Sequence, residues 1–226
     1  MISVAIDGPV GAGKSTVARE SAKRLGFIYA DTGALYRAIG LYAVRKGIED
    51  SSKEDYAESV TALLPEITVE IKLENGTQKV FLCGEDVSEE IRQPKISMAA
   101  SAASAIPAVR DFLLELQRSI ARENDVLMDG RDIGTVVLPS ADVKIFITAS
   151  PEIRARRRFE ELVNKGVETD FDQVLADLNR RDYQDSHRAV APLKMAEDAI
   201  LLDTSRLDFE ESVRSVVDLV RAATST

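Results

Sequence analysis

In 226 residues the chain has one cysteine, one histidine and no tryptophan. Cys83 alone cannot close an intrachain disulfide, and neither it nor His187 stands in a metal-ligand spacing. A disulfide scaffold and a zinc centre are therefore excluded, and a reducing compartment is expected. His187, beside Arg188 in a polar stretch, reads as a solvated surface residue. No apolar run approaches the roughly 20 residues of a membrane helix, and Met1 opens straight into a strand-like pattern instead of a signal peptide. A cytoplasmic protein without a membrane partner is the expectation. Positive charge is also scarce: 29 Lys and Arg against 38 Asp and Glu leave a net charge of −9. That balance argues against a broad nucleic-acid surface, because phosphate-backbone binding draws on clustered cations over a large face. The base-reading motif Asn-Lys-x-Asp of switch GTPases is missing too, since Asn164-Lys165 is followed by Gly166-Val167.

Short apolar runs alternate with helical patterns. "ISVAID", "FIYA", "DVLMD", "VKIFIT" and "AILLD" read as five buried strands. Helices are expected at 14–25, 107–123, 151–165, 171–187 and 209–222. A further helix follows "DTG" with Thr32 as its cap and closes at Gly47. This order predicts an α/β fold of three layers around a five-stranded parallel sheet. The middle departs from it. "ITVEIKLENGTQKVFLCGEDVS" alternates around Asn75-Gly76, a dipeptide favouring a type I′ hairpin, so a small antiparallel β insertion is expected at about 65–88. "SMAASAASAIPAVR" then reads as a thin helix packing closely on a neighbour. One domain, 1–226, carrying an insertion is expected.

"DGPVGAGKST" follows the first strand and opens the first helix, and fits G-x-x-x-x-G-K-[ST] at Gly8, Gly13, Lys14 and Ser15. A loop nearly free of side chains lets backbone N–H groups point inward at phosphate oxygens, and the helix N-terminus adds partial positive charge. Gly8, Pro9, Val10, Gly11, Ala12, Gly13, Lys14, Ser15 and Thr16 are thus candidates to hold ATP, with Lys14 reaching the β- and γ-phosphates and the Ser15 hydroxyl on Mg²⁺. "DTGALYR" ends the second strand as this loop ends the first, offering Thr32, Tyr36 and Arg37. "MDGRD" ends the third, with Asp129 facing the magnesium through water and Arg131 available to a second phosphate.

Eight arginines fall between Arg131 and Arg188. Arg154, Arg157 and Arg158 stand at i, i+3 and i+4, and Arg181, Asp185 and Arg188 at i, i+4 and i+7, each set on one helix face. An ion pair such as Arg181 with Asp185 is the plainer reading of the second set. Arginine forks match phosphate oxygens, and phosphoryl transfer is catalysed chiefly by positioning and charge neutralisation. Two phosphate-reading sets suggest a phosphorylated donor and a phosphorylated acceptor. Kinases for other small acceptors, such as another nucleotide or dephospho-coenzyme A, and a non-catalytic nucleotide-binding regulator stay open on this pattern.

"GPVGAGKST", "DTGALYRAI", "GEDVSEEIR", "DGRDIGTVVLP" and "RRDYQDSHRAVAPL", in this order, resemble the bacterial cytidylate kinases over residues 7–203. The resemblance implies transfer of the γ-phosphoryl group of ATP to CMP or dCMP with Mg²⁺. It implies that Thr32, Tyr36, Arg37 and Arg131 hold the CMP phosphate, that Ser101, Arg110, Asp132 and Arg188 surround the cytosine, and that Arg181 and Asp185 lie near the ribose. It further implies a nucleoside-monophosphate-binding subdomain at about 38–102 and a helical lid at about 151–167 that carries Arg154, Arg157 and Arg158. Apart from the resemblance, a monomer is the expectation. Val10, Lys95 and Ala100 depart from the pattern expected of that family.

Overall fold

The computed structural model describes residues 1–74, 77–164 and 166–224. Its elements in chain order are β1 (Ser3–Asp7), α1 (Lys14–Leu25), β2 (Ile28–Asp31), α2 (Thr32–Arg45), α3 (Tyr56–Leu63), β3 (Val69–Glu74), β4 (Thr77–Leu82), β5 (Glu85–Asp86), α4 (Pro94–Ser104), α5 (Pro107–Glu123), β6 (Val126–Asp129), β7 (Val143–Thr148), α6 (Pro151–Asn164), α7 (Phe171–His187), β8 (Ile200–Asp203) and α8 (Phe209–Thr224). A single π-helical turn, Ile133–Val137, lies between β6 and β7. The chain divides into two compact units, one of Met1–Ile28 with Asn124–Thr226 and one of Tyr29–Glu123.

The first unit is built on a five-stranded sheet of order β2-β6-β1-β7-β8, which β2 enters through Ile28, whose N–H donates to Asp125 O at 2.8 Å. β1 pairs in parallel with β6 and β7 on either side. It is a central strand, and Val4, Ala5 and Ile6 are fully buried, as a strand covered on both faces requires. β8 differs from the buried strand expected there. Among the described residues it pairs only with β7, at the edge of the sheet, and Ile200 and Leu201 are 42% and 57% exposed. α8 opens with a reciprocal capping box: Glu211 N donates to the Asp208 carboxylate at 2.7 Å, and Asp208 N to the Glu211 carboxylate at 2.9 Å. Its Val213, Val216, Val217 and Val220 form the buried stripe.

In the second unit β3, β4 and β5 form an antiparallel sheet. The expected Asn75-Gly76 turn lies outside the described residues, as does Lys165 at the end of the helix expected over 151–165. α2 and α4 pack so closely that a Cβ on Gly40 would stand 2.8 Å from Ala100 N and 3.0 Å from Ala99 C. The Ala/Ser stretch therefore does form a thin helix against a neighbour. α2 is capped by Asp31, whose side chain accepts from Ala34 N at 3.1 Å. Thr32, expected as the cap, is instead the first helical residue, since a carboxylate one position earlier already satisfies the free amide. α3 had no counterpart in the sequence reading.

Candidate active site

The glycine loop leaves β1 at Gly8, where φ is +146° and an added Cβ would fall 1.9 Å from Ile147 O. No side chain fits there, so this position needs glycine for space as well as for backbone angle. The loop then turns through Gly13 at φ +79° into α1. Lys14 is buried, and its Nζ donates to Pro9 O at 2.7 Å. Burial pushes the Lys14 ammonium well below the usual lysine range, and the neighbouring Arg131 charge adds to this, while Asp129, Asp7 and Asp185 oppose it. The Ser15 hydroxyl donates to Asp129 Oδ2 at 2.7 Å, joining the start of α1 to the end of β6.

Magnesium takes hard oxygen ligands and keeps several waters beside the phosphates it accompanies. A hydroxyl and a buried carboxylate in contact are a donor set that fits such an ion. Among the described residues no group of three or more His, Cys, Asp or Glu could cage a metal by protein ligands alone.

The turn after β6 carries two ion pairs. Arg131 Nε donates to Asp185 Oδ2 at 2.9 Å, and Arg188 Nη2 lies 3.3 Å from Asp132 Oδ1. Asp185 is engaged by Arg131, while Arg181 lies one helical turn earlier on α7 and is partly buried. α7 ends at His187, so Arg188 is its C-cap and leaves the helical face expected for it. There its Nε donates to Ala191 O at 2.5 Å, with Ala191 in the left-handed region at φ +47°. His187 is exposed, as expected, and stacks on Tyr183.

The three arginines of α6 part company. Arg154 is buried: its Nε donates to Ala149 O and its Nη1 to Val10 O, both at 2.9 Å, and Nη1 also pairs with Asp182 Oδ2 at 2.6 Å. Arg157 is held by Thr204, through its hydroxyl at 3.1 Å and its carbonyl at 2.7 Å, and reaches within 3.9 Å of where a Gly13 Cβ would be. Burial lowers the Arg157 pKa. Arg158 pairs with Glu161 on the surface.

In the second unit the guanidinium of Arg110, on α5, lies 5.5 Å from the Tyr36 ring, and its Nη1 donates to Ser104 O at 3.2 Å. Ser104 in turn donates to Ser101 O, so Ser101, Tyr36 and Arg110 come from three helices to one neighbourhood. Arg37 Nη1 lies 3.4 Å from Asp31 Oδ2, and Thr32 is buried.

Two side chains that the sequence did not single out take part. Asp182 is the carboxylate of Arg154. Asp7, the residue before Gly8, is buried and accepts from Ile133 N at 2.8 Å and Gly134 N at 2.7 Å. Burial raises its pKa from 3.8 to about 6, against the opposing pull of the two amides. The signal for Asp7 was present in an acid ending an otherwise apolar central strand, a placement that demands partners.

A family model described as cytidylate kinase matches residues 4–222. The chain belongs to the cytidylate kinase family. Among curated cytidylate kinases, that of Caldicellulosiruptor saccharolyticus is 50% identical over 198 residues, covering 88% of this chain and 86% of the relative. That of Pelotomaculum thermopropionicum is 52% identical over 198 residues, covering 87% and 86%. A crystal structure of an uncharacterized protein from Eubacterium ventriosum superposes with a TM-score of 0.54 over 98% of both chains at 11% identity, a likeness of fold alone. Within this cytidylate kinase fold Val10 has a local cause. It packs against the small apolar cluster of Ala155, Val174 and Leu178 under α6 and α7, while its carbonyl accepts from Arg154. Lys95, another departure, pairs with Glu49 at 2.8 Å.

Proposed function

We propose that this chain transfers the γ-phosphoryl group of ATP to CMP or dCMP, giving ADP and CDP or dCDP. The observation that carries the reading is the contact between Ser15 and Asp129 at the mouth of a loop where Gly8 admits no side chain, in a member of the cytidylate kinase family. The amides of Gly8, Val10, Gly11, Ala12, Gly13, Ser15 and Thr16 hold the donor phosphates, Pro9 shapes the loop without a donor of its own, and Lys14 leaves Pro9 O for the β- and γ-oxygens. A phosphate there restores the charged state that burial disfavours. Bound Mg²⁺ would supply charge neutralisation on the β- and γ-oxygens, held by Ser15 and, through water, by Asp129.

For the acceptor, Thr32, Tyr36, Arg37 and Arg131 take the CMP phosphate. Ser101, Arg110, Asp132 and Arg188 take the cytosine, and Arg181 and Asp185 the ribose. A phosphate oxygen of CMP forms the new bond to the γ-phosphorus while the bond to the β–γ bridging oxygen breaks, and the electron pair leaves with ADP. No side chain need remove a proton, because a phosphate monoester with a second pKa of about 6 is already largely ionised at neutral pH. Arg157 and Arg158 neutralise charge on the transferring group. Arg154, which the sequence grouped with them, spends its guanidinium on Val10 O, Ala149 O and Asp182, and serves by holding the loop in place. We assign 38–102 as the monophosphate-binding subdomain and 151–167 as a lid, in a cytoplasmic monomer.

The test is ADP release from Mg-ATP against CMP, dCMP, UMP, AMP and GMP. CMP and dCMP should be turned over best. A preference for AMP or GMP, or no acceptor-dependent ADP, would defeat the reading.

A further inference from the structure

Asp7 lies in neither of the phosphate-reading sets, yet it joins the strand that carries the glycine loop to the turn that follows Arg131. It is the last residue of β1, one position before the glycine loop, and it is buried. Both carboxylate oxygens are used: Oδ1 accepts from Ile133 N and Oδ2 from Gly134 N. Those amides directly follow Arg131 and Asp132, whose side chains pair with Asp185 and Arg188. The same two amides begin the π-helical turn Ile133–Val137, in which Val137 N reaches Asp132 O and Leu138 N reaches Ile133 O, each five residues back. A helix start leaves amides without internal partners, and here one carboxylate from another strand satisfies two of them.

We propose that Asp7 is a positioning residue for the acceptor nucleotide, its carboxylate clamping the Arg131–Asp132 turn through the Ile133 and Gly134 amides to the strand that carries the phosphate loop. The inference rests on the CMP kinase reading, since it gives Arg131 and Asp132 their work. It makes no contact between Asp7 and either substrate. Its effect passes through the turn. The charged groups facing Asp7 are Lys14 at the start of α1, which favours the carboxylate, and Asp132 in the turn, which disfavours it. On β7 the stem of Lys144 borders the same Gly134 site, but its ammonium is taken by Asp198 and Pro139 O. At the end of β6, Asp129 lies in register with Ile6 and is engaged by Ser15. Burial drives the Asp7 pKa up to about 6, so the ionised form is held at a cost in stability. That cost is expected of a group kept for function.

Asp7→Asn keeps the shape and one acceptor oxygen, but turns an NH2 group toward one of the two amides. In the full-length variant, with CMP and ATP varied separately at pH 7.5, KM for CMP should rise about tenfold while KM for ATP stays within about twofold; tenfold corresponds to about 1.4 kcal/mol. A folded variant with both constants unchanged, or with both raised equally, overturns the proposal. A second measurement covers a variant that does not fold. In the wild-type chain the amide-proton resonances of Ile133 and Gly134 should shift together with a midpoint near pH 6. Two flat traces between pH 5 and 7.5 overturn the clamp. Should the wild-type chain fail to phosphorylate CMP while these resonances titrate, the kinase reading fails and the clamp stands as structure only.

Discussion

At the scale of single residues, Lys14 is the most exposed to test. Its ammonium is buried and donates to the Pro9 carbonyl, and burial lowers its pKa. Removing the charge should not weaken the fold. Lys14→Met, which keeps the stem, should melt no lower than the wild type in a thermal scan, while kcat drops by about 10²-fold or more, the loss typical of one charge-stabilising donor. Base discrimination is likewise a matter of single side chains. Asp132 and Arg188 offer an acceptor and donors in contact with each other. Replacing Arg188 by Ala should collapse the kcat/KM ratio of CMP over UMP toward one, read by steady-state kinetics with both acceptors. The phosphate loop was legible because its chemistry is local: spacing alone placed Gly8, Lys14 and Ser15. Arg154 was not. Its one-face spacing with Arg157 and Arg158 was right, but only packing decides that it points at Val10 and Asp182 while Arg158 points to solvent.

At the scale of elements, two contacts invite substitution. Gly40 lets α2 and α4 approach until a Cβ would meet the Ala100 amide nitrogen, and backbone cannot step aside as a flexible side chain can. Gly40→Ala should destabilise the chain by about 1–3 kcal/mol by overpacking, measured by denaturant unfolding. Arg154 joins α6 to α7 and to the glycine loop, so Arg154→Ala leaves the partly buried Asp182 without this cation and should cost about 3 kcal/mol. Arg158→Ala, on the surface, should leave the melting temperature nearly unchanged and lower kcat alone. The central strands, β1, β6 and β7, could be read from their apolar runs. The exposure of β8 could not, because an apolar pentapeptide does not say whether a strand lies at an edge. Nor could the π-helical turn: "IGTVV" is rich in β-branched residues that favour strands, and the Asp7 carboxylate, distant in sequence, overrides that preference by taking its first two amides.

At the scale of the whole molecule, charge linkage and catalysis meet at Asp7. Its pKa in the folded chain, about 6, lies above the ordinary 3.8. The protonated form is therefore favoured by folding: its contribution is fully present below about pH 3.8 and is lost as pH rises through about 6. The gap corresponds to about 3 kcal/mol. Exposed carboxylates with lowered values, such as Asp86 and Asp50, act in the opposite direction. The effect is thus best read as the difference in unfolding free energy between wild type and Asp7→Asn across pH 4 to 7. That difference should shift against the wild type as pH rises, and a constant difference would remove the linkage. The division of residues 29–123 from the rest could be foreseen only in part, through the alternating stretch that broke the strand–helix rhythm, since α3 left no clear periodic mark.

The central claim is group transfer from one nucleotide to another. The most direct measurement incubates the chain with Mg²⁺, CMP and ATP labelled in its γ-phosphate, and separates the products. The label should appear in CDP in step with ADP formation. Label found only in inorganic phosphate, or carried by AMP or GMP in preference to CMP, would contradict the account.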